Sequence, residues 1–247
     1  MAGQPLGRIQ RPEAGVILGE KKLYVAALVY PIPGAPKGFT DRLAAYWKAI
    51  DDNVGRLESR AGVVKHVFHE GIADAADAGL DAVREVNEPA LSLIKSRVEA
   101  GAEFEALEDD EVFAEAVDWS RCVQLGFMSR KVAETVSEAY RVATEARLAH
   151  MKKTIEECLG QSEAGLLIAA STRGLQLSAT IHVYNVVPPQ LDELMRWLRE
   201  TASTGLGAAP GAAVGPDAPA EGEEGVHAET PGGAPPPSAS KLWTPGH

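Results

Sequence analysis

The chain is poor in cysteine, in basic residues and in long apolar runs. Two cysteines, Cys122 and Cys158, stand among 247 residues. They cannot make a disulfide framework, so two free thiols in a reducing cytoplasm are expected. Lys and Arg number 24 against 35 Asp and Glu, a formal net charge of -11. That balance disfavours nucleic acid and anionic membrane, because both need clustered cations. The longest apolar runs, 25–30 and 165–170, are far too short to cross a bilayer. The first residues hold no apolar stretch of a secretory leader, and none is expected. Three common catalytic signatures are missing as well: the Gly-x-x-x-x-Gly-Lys phosphate loop, the Gly-x-Gly-x-x-Gly turn and the Gly-x-Ser-x-Gly elbow.

What is present divides at one point. Up to about residue 200 the composition is that of an ordinary folded domain. Residues 201–240 are almost entirely Ala, Gly, Pro, Ser and acidic residues, and 241–247 then read Lys241-Leu242-Trp243-Thr244-Pro245-Gly246-His247. The expected organisation is an N-terminal arm over 1–20, one domain over 21–200, a disordered linker over 201–240 and a terminal peptide. The linker has too few apolar groups to offset the entropy of ordering. Leu242, Trp243 and Pro245 are candidate partner-docking residues, since Trp is the side chain most enriched at binding hot spots.

Within the domain, strands alternate with helices. Strands are expected over 23–30, 63–69, 102–107, 166–170 and 181–187. Helices are expected over 41–59, 78–97, 110–125, 130–159 and 190–200. Leu43, Tyr46, Trp47, Ile50, Val54 and Leu57 recur at three- and four-residue spacing, one buried stripe. Thr40 reads as the cap of that helix, and Ser129 as the cap of the longest, heavily charged one. Pro89 predicts a break near Asn87 and Glu88. Alternation of this kind argues a three-layer α/β domain. Only about ten residues separate the last two strands, which predicts an antiparallel hairpin and hence a mixed, mainly parallel sheet.

The best polar cluster is Lys65-His66-Val67-Phe68-His69-Glu70. Two imidazoles and a carboxylate can ligate zinc or iron. In a strand, however, His66 and Glu70 share a face and His69 points away. Only a bulge or a strand end near Phe68 would bring the imidazoles together. Ligands do gather at the carboxyl ends of strands in open α/β sheets. Ser171-Thr172-Arg173-Gly174 ends another strand and could meet an anion, though an ordinary turn explains it as well. His66, His69, Glu70 and Arg173 are therefore the candidate ligand-binding residues, and no metal or cofactor is expected. Cys122 shows no base beside it. Cys158 lies at a helix C-terminus, which disfavours a thiolate. The acidic run from Glu103 to Glu111 reads as a wet strand edge and a helix start.

Five phrases carry a resemblance: His69-Glu-Gly-Ile72, Glu99-Ala-Gly-Ala-Glu103, Asp118-Trp-Ser-Arg-Cys122, Gly126-Phe-Met-Ser129 and Val187-Pro-Pro-Gln-Leu-Asp-Glu193. They resemble a family of bacterial proteins with no assigned activity, which implies no particular chemistry. The order of early strand, helices, Gly165-Leu-Leu-Ile168 and a return strand is similar to the N-terminal domain of the archaeo-eukaryotic release-factor superfamily. The Gly-Gly-Gln hydrolysis motif of that superfamily is missing, so peptide release is not implied. Three functions stay open. One is a non-enzymatic adaptor or regulator with a tethered docking peptide and a protein partner. Another is a small-ligand enzyme or sensor at the strand ends. The third is a translation-associated factor without release activity. Oligomeric state is not legible.

Overall fold

The computed structural model describes residues 19–203. The N-terminal arm up to residue 18, the linker from 204 and the terminal peptide with Leu242, Trp243 and Pro245 lie outside the described residues. In chain order the elements are β1 (Lys21–Ala27), α1 (Lys37–Ala61), β2 (Val64–His69), α2 (Ala76–Glu99), β3 (Glu103–Glu105), α3 (Asp110–Gln124), α4 (Arg130–Cys158), β4 (Ala164–Ala169), β5 (Ile181–Val186) and α5 (Pro189–Ser203). The strands form one sheet in the order β3-β2-β4-β1-β5. Every neighbouring pair is parallel.

The α/β class and the three layers follow the expectation. The antiparallel hairpin does not, and with it goes the mixed sheet. β1 lies between β4 and β5 and pairs in parallel with both. The central place suits β1, whose Leu23, Tyr24, Val25 and Ala26 are buried on both faces. The segment between β4 and β5 needs no helix to make the crossover. Ten extended residues reach roughly 33 Å, and a six-residue strand spans only about 20 Å. The segment runs back over the sheet, with Leu175 and Leu177 packed among the side chains that cover β1 and β4.

Two cores sit on the two faces. On one, α1, α2 and α5 pack through Phe39, Tyr46, Ile50, Val83, Ile94 and Leu194 against Tyr24, Val67 and Ile168. On the other, the C-terminal half of α4 packs through Met151 and Ile155 against Leu23, Phe68 and Leu167. Two buried tyrosine hydroxyls are satisfied by backbone carbonyls: Tyr46 donates to Ala27 at 2.5 Å and Tyr24 to Gly62 at 2.7 Å. Gly79 of α2 lies directly on Phe104, so that any side chain there would collide with the ring.

Two of the helices start on side-chain caps. Asp109 accepts from the N–H groups of Glu111 and Val112, capping α3. Ser129 caps α4 as expected, accepting from Val132. Thr40 does not cap α1: the helix begins at Lys37 behind Pro36, and the Thr40 hydroxyl turns back to the Lys37 carbonyl at 3.0 Å. Pro36 has the fixed φ that suits a helix entry. The α2 break falls at Asn87 (φ -149°, ψ 55°), two residues before Pro89. Strand β1 stops at Ala27, short of residue 30. Helix α5 continues to Ser203, three residues into the expected linker.

Candidate functional site

The candidate residues on β2 are set by one irregularity. The pairing of β2 with β4 slips between Val64 and His66, leaving Lys65 as an extra residue. Such a bulge re-aims every side chain after it. Val64 and Val67 lie in the core beneath α1 and α2. Phe68 lies in the core beneath α4, with the His66 ring stacked beside it at 6.4 Å. From His66 onward the alternation is regular. His66 and Glu70 therefore face α4, and His69 faces α2. The bulge lies before His66 rather than near Phe68, so the two imidazoles do not converge. The four candidates do not share one pocket.

His69 is fully buried. Its Nδ1–H donates to the Glu70 carbonyl at 2.8 Å, and Nε2 lies 3.3 Å from the Asn87 amide nitrogen. These partners match the neutral ring, with one donor and one acceptor. Burial pushes its pKa down to about 4. The Asn87 amide oxygen is buried without a protein partner. His69 thus anchors the kinked helix to the sheet and does not meet solvent.

Glu70 leaves the end of β2 and bridges the crevice to β4. One carboxylate oxygen accepts from the Ala170 N–H at 2.6 Å, and the other lies 3.0 Å from Arg147. Arg147 also grips Glu108, with Nε–Oε2 at 3.0 Å, while Glu108 accepts from Gly71 N–H at 3.1 Å. The Glu108 side chain is 1% exposed. The guanidinium lies over the Phe113 ring at 4.9 Å. Burial alone would lower the Arg147 pKa, but the Glu108 and Glu70 carboxylates raise it. The crevice between β2 and β4 is where the chain departs to opposite faces of the sheet, the usual ligand position in such folds. Here the Glu70 carboxylate itself fills the anion position. Arg173 lies on the exposed crossover after β4, its N–H bonded to Ser171 Oγ at 3.0 Å.

His66 meets a different set. Nδ1 lies 2.7 Å from Glu105 Oε1, and Nε2 lies 3.2 Å from Glu163 Oε2. Glu103 stands opposite His66 in the β2–β3 register. The Gly160 N–H, then the His66 ring, hold the Glu163 carboxyl below the usual carboxylate range. Cys158 ends α4 near the Glu105 carboxylate. Burial, then that carboxylate, pushes its thiol up to about 11, so it is no nucleophile. Sequence reasoning passed over Glu103 and Glu105 as a wet strand edge. Their shared face with His66 depends on a parallel β2–β3 pairing and on the bulge.

A second feature was also passed over. Between α3 and α4, Val123, Leu125, Phe127, Met128 and Val132 all stand exposed, Leu125 at 80% and Met128 completely. Gly126, with φ +70°, turns the chain there. The signal was in plain view as Leu125-Gly126-Phe127-Met128, an apolar turn between two charged helices. No helix among the described residues is long and apolar enough to cross a membrane. Comparison of this five-stranded parallel α/β protein with family models, curated proteins and solved structures returned no match.

Proposed function

We propose that the protein is a non-enzymatic adaptor or regulator. Its α3–α4 hairpin is the recognition arm, and the terminal peptide around Leu242, Trp243 and Pro245 is a second contact. The observation that carries the reading is the apolar tip: five large apolar side chains exposed within residues 123–132. Single exposed hydrophobics need no explanation, but a contiguous patch does. The tip has little charge of its own, since Arg121 and Arg130 beside it are paired with Asp118 and Glu134. The occupant that fits is a protein surface with an apolar centre.

Against a small-ligand site at the strand ends, Glu70 is spent on Arg147 and Ala170, and His69 is sealed beneath α2. The test is a photo-cross-linker placed at residue 128 of the full chain. The cross-linked protein would be identified, purified and titrated. The triple variant Leu125→Ser, Phe127→Ser, Met128→Ser should weaken that binding by at least roughly 100-fold, since each lost anchor is worth about 1 kcal/mol or more. Trp243→Ala tests the second contact separately. If the cross-link joins two copies of this chain, and sedimentation shows a dimer that the triple variant abolishes, the tip is an oligomer interface and the adaptor reading falls.

A further inference from the structure

On the α4 face of the sheet, one imidazole sits among three carboxylates. A ligating atom from each of His66, Glu103 and Glu105 lies within 4.8 Å of the others. A neutral imidazole has a single N–H. With that proton on Nε2, it serves Glu163 at 3.2 Å. The Nδ1 lone pair then faces a Glu105 carboxylate oxygen at 2.7 Å. Either tautomer leaves one ring lone pair facing a carboxylate, and a metal ion between Nδ1 and Glu105 would relieve that repulsion.

We propose that His66 Nδ1, Glu103 and Glu105 bind a divalent first-row metal ion, with zinc the best match, and that Glu163 is the carboxylate that fixes the His66 tautomer from behind. One imidazole nitrogen and two carboxylates are ordinary zinc donors. A histidine ligand commonly gives its other N–H to a carboxylate, which sets the ring tautomer and orientation. Glu163 is already held for that task by the Gly160 N–H at 2.7 Å. The Lys65 bulge turns His66 toward Glu103 and Glu105 rather than toward α2, and bulges gather where a side chain must be re-aimed.

The fit needs small movements only. Zinc with bonds of about 2.1 Å places tetrahedral donors about 3.4 Å apart. Glu103 is exposed and Glu105 half-buried, so both carboxylates can rotate inward and Glu105 can withdraw from its hydrogen-bond distance. Three protein ligands leave a coordination position for water. The site joins the β2–β3 edge on the α4 face. It is separate from the hairpin tip and does not rest on the adaptor reading.

The full chain, stripped with chelator, is titrated with zinc by calorimetry, and its melting is followed with and without the metal. Uptake of about one equivalent is expected. Glu103→Gln and Glu105→Gln should each weaken binding by at least tenfold, and Glu163→Gln by roughly 10–100-fold. Zinc should raise the melting temperature of the wild type and not of Glu103→Gln. Glu103 is exposed, so Glu103→Gln will fold, and it decides alone if Glu105→Gln does not. The proposal fails if the wild type takes up no zinc at ~100 µM. It fails equally if wild type and the Glu103→Gln, Glu105→Gln double variant bind alike, which would place the metal elsewhere on the chain.

Discussion

Burial opposes protonation of His69 and outweighs the Glu70 carbonyl, which alone favours it. The ring is buried, its Nδ1–H is already given to the Glu70 carbonyl, and its Nε2 lies against the Asn87 amide. Its pKa is held near 4 in the folded state, against an ordinary value of 6.5. Above pH 6.5 both folded and unfolded chains carry a neutral ring, and stability is complete. As pH falls from 6.5 to 4 only the unfolded chain gains the proton, so stability is lost through that window. The gap is worth about 3 kcal/mol, most of it gone by pH 4. Denaturant unfolding of wild type and His69→Gln at pH 7 and pH 4.5 checks this: the variant should lose about 2–3 kcal/mol less between the two. Equal losses would place the acid sensitivity elsewhere. At this scale the sequence was half legible. Period-two alternation put His66 and His69 on opposite faces, as found. The partners of each ring were hidden, because Asn87, Glu105 and Glu163 reach it only through tertiary packing. Arg147 was equally hidden, read as one more charge on a solvated helix when it binds the buried Glu108.

Among the elements, β4 and β5 separate what apolar pattern reveals from what it cannot. Both look like buried strands by composition, Leu166–Ile168 and Ile181–Val186. In the structure β4 lies between β2 and β1 and is buried throughout, whereas β5 is an edge and Val183 is 44% exposed. Strand order decides this, and strand order depends on which crossover forms. A short connection suggested a hairpin. The chain instead carries an irregular segment, turning at Gly174, past β1, held by Leu175 and Leu177. The two strands should respond differently to the same insult. Leu167→Asp buries an unpaired carboxylate in the sheet centre, costs several kcal/mol and should leave no cooperatively folded protein. Val183→Asp stands in solvent and should shift the melting midpoint by only a few degrees, a cost on the order of 1 kcal/mol. Thermal melts by circular dichroism distinguish them, and equal loss at both positions would contradict the edge placement of β5. The helices were easier, because a 3.6-residue stripe survives any topology. The Asn87 break was visible from Pro89. The start of α1 was missed by four residues, since Pro36 opens the helix before Thr40 can cap it.

Across the whole molecule, burial is distributed unevenly along α4. The helix has 29 residues, so it runs about 44 Å. Its last third lies on the sheet through Leu148, Met151 and Ile155. Farther out, Val136 and Ala143 are the buried positions, and α3 contributes only Ala116. The arm therefore rests on a thin seam of small contacts, with its ion pairs, such as Arg141 with Glu138 and Glu145, on the wet surface. Exposed pairs of that kind add little. Local opening follows the density of buried apolar contact, so the two ends of one continuous helix should open with different free energies. Hydrogen exchange read by mass spectrometry should show residues 130–145 exchanging well before 148–158, by roughly a hundredfold if the opening energies differ by about 3 kcal/mol. A partner that grips the apolar tip would slow exchange in 130–145 while leaving the sheet end unchanged. Uniform protection along α4 in the isolated protein would mean that the arm is as firmly held as the core, and the picture of a lightly supported recognition hairpin would have to be given up.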